Sequence, residues 1–201
     1  MKASIFFAAV IFFAGNALAQ SWKLESNDNG IKTYSLSKKG SPIIGFKGEG
    51  LVDLPFAEVL KTIKDTDNYP QWVPLVVGTR VLKENSSLSR VVYLHVDLPW
   101  PVTDRYFVNQ GDLKPIEGGG YRMDIRSLPW KIENESKVEG WTSQSYFKIS
   151  PVEGGKKTAM IVELHQDPKG TVPAFLVNWV QSSWPREFFE NLASYKARNA
   201  H

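Results

Sequence analysis

TVPAFLVNWVQSSWPREFFENLASYKA, residues 171–197, is the one long stretch of helical period in a chain whose other apolar segments alternate or run short. Val172, Phe175, Leu176, Trp179 and Val180 fall at i, i+3, i+4, i+7 and i+8, so one side of a helix carries a continuous apolar stripe, which Phe188, Leu192 and Tyr195 prolong. Thr171 is the expected N-cap, with Pro173 in the first turn, where a missing N–H has no helical partner to lose. Pro185 removes the hydrogen bond to the carbonyl of Gln181 and crowds that carbonyl, which predicts a kink near Ser182 to Trp184. Ordinary core packing accounts for such a stripe. The girdle of Phe175, Trp179, Trp184, Phe188, Phe189 and Tyr195 is wider than one buried face needs, and that excess points to a helix that also lines a cavity.

Upstream the chain reads as strands. Residues 31–36 and 43–52 follow the turn cluster Asn27-Asp28-Asn29-Gly30, with Lys39-Gly40-Ser41-Pro42 between them. Gly45, Gly48 and Gly50 predict strong curvature in the second of these. Asp53 and Pro55 open a short helix whose apolar face is Phe56, Val59, Leu60 and Ile63. A polar stretch broken by Pro70 leads to Trp72 and a strand near 77–82. In 90–98, Val92, Leu94, Val96 and Leu98 share one face and Val91, Tyr93, His95 and Asp97 the other, which places the aliphatic row inward. The prolines of PWPVTDRYFV, residues 99–108, forbid regular pairing until about Arg105. Further strands are expected at 121–127, 138–149 and 158–166, with a hairpin turn at Gly118-Gly119-Gly120. Many antiparallel strands, one short early helix and one long late one make an α+β domain with a curved sheet.

At 201 residues the chain suits one domain with a substantial core. Its opening, MKASIFFAAVIFFAGNALAQ, has Lys2 in a short n-region, an apolar run from Ala3 to Gly15 and Ala17-Leu18-Ala19 as a cleavage signal. Residues 1–19 therefore read as a signal peptide cut near Gln20, leaving 20–201 as an exported, periplasmic or secreted domain; a membrane anchor needs about 20 apolar residues, more than this run supplies. Removing Lys2 takes the formal net charge from +3 to +2. That surplus suits neither nucleic-acid binding nor strong adsorption to an anionic surface. Without a cysteine there is no disulfide framework, thiolate nucleophile or lipidated N-terminal Cys.

The sequence contains no G-x-S-x-G, H-E-x-x-H or phosphate-cradling glycine motif. No metal or cofactor is expected. His95 and His165 are too isolated in sequence to form a ligand set and read as surface or hydrogen-bonded groups, with a general base as the alternative. Arg90, Arg105, Arg122, Glu49 and Glu163 are charged candidates for a cavity wall, although such side chains are mostly solvated. Trp100, between two prolines, is a large apolar group held out on a stiff loop; it either meets a surface or folds back over the sheet edge.

PWPVTDRYFV resembles the Pro-aromatic-Pro loop and following Arg of the START family, the lipid-transfer domains related to the steroidogenic acute regulatory protein. DPKGTVPAFLVN, residues 167–178, resembles the segment entering that family's C-terminal helix, and Trp72 is a weaker third match. This chain departs from the family in having Tyr106 where an Asp usually follows the loop Arg, and Lys169 where a second Gly usually stands. The buried charged pair of some animal members falls near Val92 and Gly111, neither able to ionise. The resemblance implies a helix-grip fold, a curved antiparallel sheet wrapped around a long C-terminal helix, with one hydrophobic ligand enclosed and the Trp100 loop and helix as its gate. With strand parity and helix face, it nominates Val92, Leu94, Val96, Phe107, Asn109, Met123, Phe175, Leu176, Trp179 and Val180 as the lipid-cavity wall. Asn109 is the possible polar contact. Trp100, Pro101, Trp184 and Pro185 are the gate and membrane-contact candidates. The implied activity is lipid binding or transfer, whose partners are a phospholipid, sterol or similar molecule and, transiently, a membrane surface. A cyclase-like cavity enzyme and an apolar adaptor for a partner protein are the alternatives.

Overall fold

A computed structural model of the chain describes residues 22–37, 41 and 43–198. The signal-peptide reading of 1–19, cleavage near Gln20 and most of the 39–42 turn lie outside the described residues. In chain order the elements are β1 (Lys23–Asp28), β2 (Ile31–Ser37), β3 (Ile44–Val52), α1 (Phe56–Lys64), a 3-10 turn (Thr66–Gln71), β4 (Val76–Ser86), β5 (Ser89–Val96), β6 (Arg105–Pro115) and β7 (Tyr121–Ser127). There follow β8 (Val138–Glu139), β9 (Trp141–Thr142), β10 (Ser145–Val152), β11 (Lys157–Asp167), α2 (Ala174–Ser182) and α3 (Trp184–Arg198). The strand order is β1-β2-β3-β11-β10-β7-β6-β5-β4, all antiparallel, with β8 added in parallel to β6 and β9 paired to β11. This is the helix-grip arrangement, with α2 and α3 against the inner face.

Three elements differ from expectation. β1 is an edge strand with polar residues on both faces, so alternation gave no sign of it; Asn29 and Gly30, with φ of 52° and 77°, form the two-residue turn that joins it to β2. The expected strand at 138–149 divides into β8, β9 and the start of β10. Gly140 sits so close to Phe107 that an added Cβ would lie 2.4 Å from the ring, and there the chain passes from pairing with β6 to pairing with β11. The long helix is two helices, broken at Ser183 as the kink predicted. Pro185 falls in the first turn of α3, where its missing N–H costs little. Thr171 is not the cap: α2 begins at Ala174, with the carbonyl of Pro173 accepting from the N–H groups of Leu176 and Val177.

Packing is concentrated under α3. Phe188 is fully buried and meets Trp72, Phe147 and Trp184 at centroid separations of 5.1, 5.3 and 5.1 Å. A Cβ on Gly48 of β3 would stand 2.9 Å from Pro185 Cβ and 3.0 Å from Phe189, so α3 rests directly on that strand's backbone. The outer face of the sheet has its own smaller cluster, in which Leu128, Trp130 and Ile132 cover Val91, Tyr106 and Val108.

Candidate functional site

Between the inner face of the sheet and the helices lies a cavity of about 180 Å³. Strand parity builds most of its wall: Val92, Leu94 and Val96 from β5, Phe107 and Asn109 from β6, Met123 and Ile125 from β7, Leu164 and Gln166 from β11. The roof is Val172, Leu176, Val177 and Val180 of α2 and its approach, with Trp184 behind, and the side facing α1 is closed by Tyr69 and residues 73–76.

Of the ten nominated wall residues, Val92, Leu94, Val96, Phe107, Asn109, Met123, Leu176 and Val180 stand around this one space. Phe175 and Trp179 do not. Phe175 is 61% exposed. The cause is Gln181, buried at the end of α2, whose amide donates to the carbonyls of Leu36 and Gly45 at 3.3 Å each. That anchorage turns the helix by about 60°, at 100° per residue, so Val177 enters the wall and Phe175 and Trp179 swing outward. Of the gate candidates, Trp100 is 91% exposed and Pro101 is exposed beside it. Trp184 and Pro185 are buried, and the assignment to membrane contact is corrected for both: Trp184 lines the cavity and donates its indole N–H to the carbonyl of Pro74 at 3.1 Å, while Pro185 packs on β3.

Arg105 is the residue whose role the sequence understated. It is 3% exposed, lines the cavity and joins two loops: its Nε–H donates to the carbonyl of Pro168 at 2.9 Å, Nη2 to that of Lys169 at 3.1 Å, and Nη1 to that of Thr103. The approach to α2 is thereby tied to the Trp100 loop. Burial pulls the Arg105 guanidinium below its ordinary range, and the neighbouring Asp104 charge opposes that. Asp104 closes the loop from the other side. One oxygen bonds His95 Nε2 at 2.7 Å and the other accepts from the Leu98 N–H at 3.3 Å. The His95 hydrogen bond, more than the weaker Leu98 one, holds the carboxyl below its usual range against the effect of burial.

The remaining charged candidates separate by face. Arg90 reaches the cavity's far end, where it donates to the carbonyl of Lys64 and pairs with Glu84. Arg122, Glu49 and Glu163 are not wall residues; Glu163 accepts from Tyr146 and bonds His165 at 2.9 Å. Both described histidines are thus hydrogen-bonded to carboxylates away from the cavity. Among the described residues no group of three or more His, Asp or Glu could hold a metal ion, and no helix is long and apolar enough to cross a membrane.

Comparison with known proteins agrees with this geometry. Residues 52–193 match the model of the family described as polyketide cyclase / dehydrase and lipid transport. An uncharacterized protein of Pseudomonas aeruginosa is 26% identical over 179 residues, covering 89% of this chain and 88% of that one. The human phosphatidylcholine transfer protein is 23% identical over 179 residues, 86% of this chain and 82% of its own length. The crystal structure of a STAR-related lipid transfer protein fragment from Xanthomonas axonopodis superposes with a TM-score of 0.74 at 25% identity, covering 87% of this chain and 97% of that fragment.

Proposed function

Because the chain belongs to the polyketide cyclase / dehydrase and lipid transport family, we propose that it is a lipid-binding and lipid-transfer protein that encloses one hydrophobic ligand beneath α2 and α3. The observation that carries this reading is the cavity itself, an apolar space walled by the inner face of the sheet and roofed by a helix that is only partly packed down. A chain of 15 methylenes loses roughly 12 kcal/mol on entering water, at about 0.8 kcal/mol per CH₂, and a lined cavity removes that cost. Transfer then needs no chemical step, only near-neutral exchange between bilayer and cavity. The alternative, a cyclase-like enzyme, would use a wall group as acid or base; the ionisable groups that line the cavity are Lys64, Tyr69, Arg90 and Arg105, with no described histidine or carboxylate among them.

At about 180 Å³ the cavity is smaller than the roughly 300–1,000 Å³ of sites that hold drug-sized molecules. Admission of a whole lipid therefore requires α2 to lift. Its attachments suit that motion: Gln181 fixes the C-terminal end to β2 and β3, Ser183 breaks the helix beyond it, and Arg105 holds the N-terminal approach through backbone carbonyls alone. Trp100 and Phe175, both exposed, are the membrane contacts in this reading. The protein works after export, in the periplasm or outside the cell, a placement supported by the signal-like sequence of residues 1–19. Native extraction followed by mass spectrometry of the co-purified small molecules tests the function: a stoichiometric lipid is expected. Ligand-free protein that also fails to move lipid between vesicles would overturn it.

A further inference from the structure

The cavity wall is asymmetric in charge. Among the described lining residues three are cationic, Lys64, Arg90 and Arg105, and none is acidic. Arg90 is balanced by Glu84. Arg105 has no ion-pair partner among the described residues; three of its five N–H groups meet backbone carbonyls, and Asp104 is engaged by His95 and the Leu98 N–H. Asp104 acts on it only from a distance, so a buried cation whose direct contacts are all neutral dipoles is incompletely compensated. Two amides on the same wall add donors. Ser127 Oγ accepts from the Thr142 N–H at 2.8 Å, so its own proton goes to Asn109 Oδ1 at 2.8 Å, and the Asn109 NH₂ is left without a protein partner among the described residues. The Gln166 side chain also has no partner there. The wall aromatics are poor hosts for a quaternary ammonium group, because the Trp184 ring packs between Phe46 and Phe188 and Tyr69 packs against Trp72.

We infer that the ligand is an anionic amphiphile whose oxyanion, a carboxylate or a phosphodiester, is received by Arg105, Asn109 and Gln166, with its chain along the aliphatic rows of β5 and β7. This deepens the lipid-carrier reading and rests on it. A choline or amine headgroup finds no carboxylate on the wall to meet it. Arg105 also acts as a structural clasp, so its test needs a readout that a clasp alone would not move, and charge selectivity at constant chain is such a readout.

The experiment measures the affinity of the protein for oleate and for oleyl alcohol, which share one chain, and the extraction of lipid from dioleoyl phosphatidylglycerol and dioleoyl phosphatidylcholine vesicles. Oleate should bind at least about tenfold more tightly than the alcohol, the effect of one charge-assisted hydrogen-bond set. Arg105→Gln should bring that ratio towards one by weakening oleate more than the alcohol, and Arg105→Lys should keep most of it. Asn109→Asp is the second variant. It retains the bond from Ser127, adds one negative charge in the same shape, and should lower oleate affinity by a larger factor than that of the alcohol, so that the ratio falls whatever the folding of the Arg105 variants. Extraction of phosphatidylglycerol but not phosphatidylcholine supports a phosphodiester source; oleate binding with neither phospholipid extracted supports a free fatty acid. Equal binding of acid and alcohol by the parent, or a ratio unchanged in Asn109→Asp, overturns the charge assignment and leaves the carrier function intact. Binding of none of the four probes overturns both.

Discussion

α2 and α3 come from one apolar stripe in the sequence, yet they do different work. α3 buries Trp184, Phe188, Phe189 and Leu192 in an aromatic cluster that continues through Trp72 and Phe147 into the sheet. α2 buries only Leu176 and Gln181 and leaves Phe175 in solvent. The difference teaches that an apolar helix over a curved sheet is an anchor where large rings interlock beneath it and a roof where the space beneath stays open. Truncating a ring in each helix sharpens this contrast most. Phe188→Ala should lower the unfolding free energy by about 3–5 kcal/mol, through lost burial and the cavity left behind. Phe175→Ala should change it by no more than about 0.5 kcal/mol, as surface substitutions do. Denaturant unfolding of the two variants checks both, and comparable losses would erase the distinction between anchor and roof.

Close contact between α3 and β3 predicts the next largest effect. Gly48→Ala places a methyl group against Pro185 and Phe189, and overpacking of that kind should cost about 1–3 kcal/mol. Because those residues, and Val162 of β11 at 3.3 Å, all lie outside the cavity wall, ligand affinity per folded molecule should stay unchanged. Loss of affinity at full folding would mean that the anchor and the cavity are one unit.

Much of this arrangement was legible beforehand, and the errors share a cause. The inward row Val92, Leu94, Val96 followed from a period of two, which any sheet with one buried face enforces. Helix rotation was not readable in the same way, because it depends on Gln181, a polar residue whose burial comes from carbonyls on two distant strands. Trp184 looked like part of a girdle because nothing local marks its indole N–H as destined for Pro74. For Arg105 the signal existed: its place after the Pro-Trp-Pro loop set it apart from the other arginines, whereas charge alone argued for solvent. Gln166 lay in phase with Leu164 on β11, so parity would have found it.

A smaller effect belongs to the roof's neighbouring loop. The Asp104 carboxyl is held below its ordinary value of 3.8 by His95 and, more weakly, by the Leu98 N–H, with burial acting against them. A depressed carboxyl contributes stability that is complete above its unfolded value and is lost as pH falls through its lower, folded one. Asp104→Asn should therefore cost below about 1 kcal/mol at neutral pH, given the partial exposure of the pair, and the deficit should vanish in acid. Unfolding measured from neutral pH down past 3.8 checks the sign. A deficit that grows in acid would mean that the carboxylate does not hold the loop.

Trp100→Ala should have the smallest effect on stability and a large one on membrane encounter. At 91% exposure the indole contributes little to the core, so its removal should shift the unfolding free energy by no more than about 0.5 kcal/mol. Pro99 and Pro101 fix the backbone φ on either side, which limits the ordering cost of presenting the ring to a surface. An indole suits a bilayer interface because its face is apolar while its N–H stays among headgroups and water. The formal charge of the whole chain is only +3, so on the proposed membrane contact electrostatic attraction would be weak and the aromatic ring would carry more of the encounter. Vesicle association and transfer rate should therefore fall in Trp100→Ala with little dependence on salt, while the lipid bound per molecule stays the same. The Arg105 tie to Pro168 and Lys169 places this loop beside the approach to α2, so Phe175→Ala should weaken vesicle association in the same way. If Trp100→Ala loses its bound lipid yet keeps full vesicle affinity, the loop serves the cavity and the exposed ring is not a membrane contact.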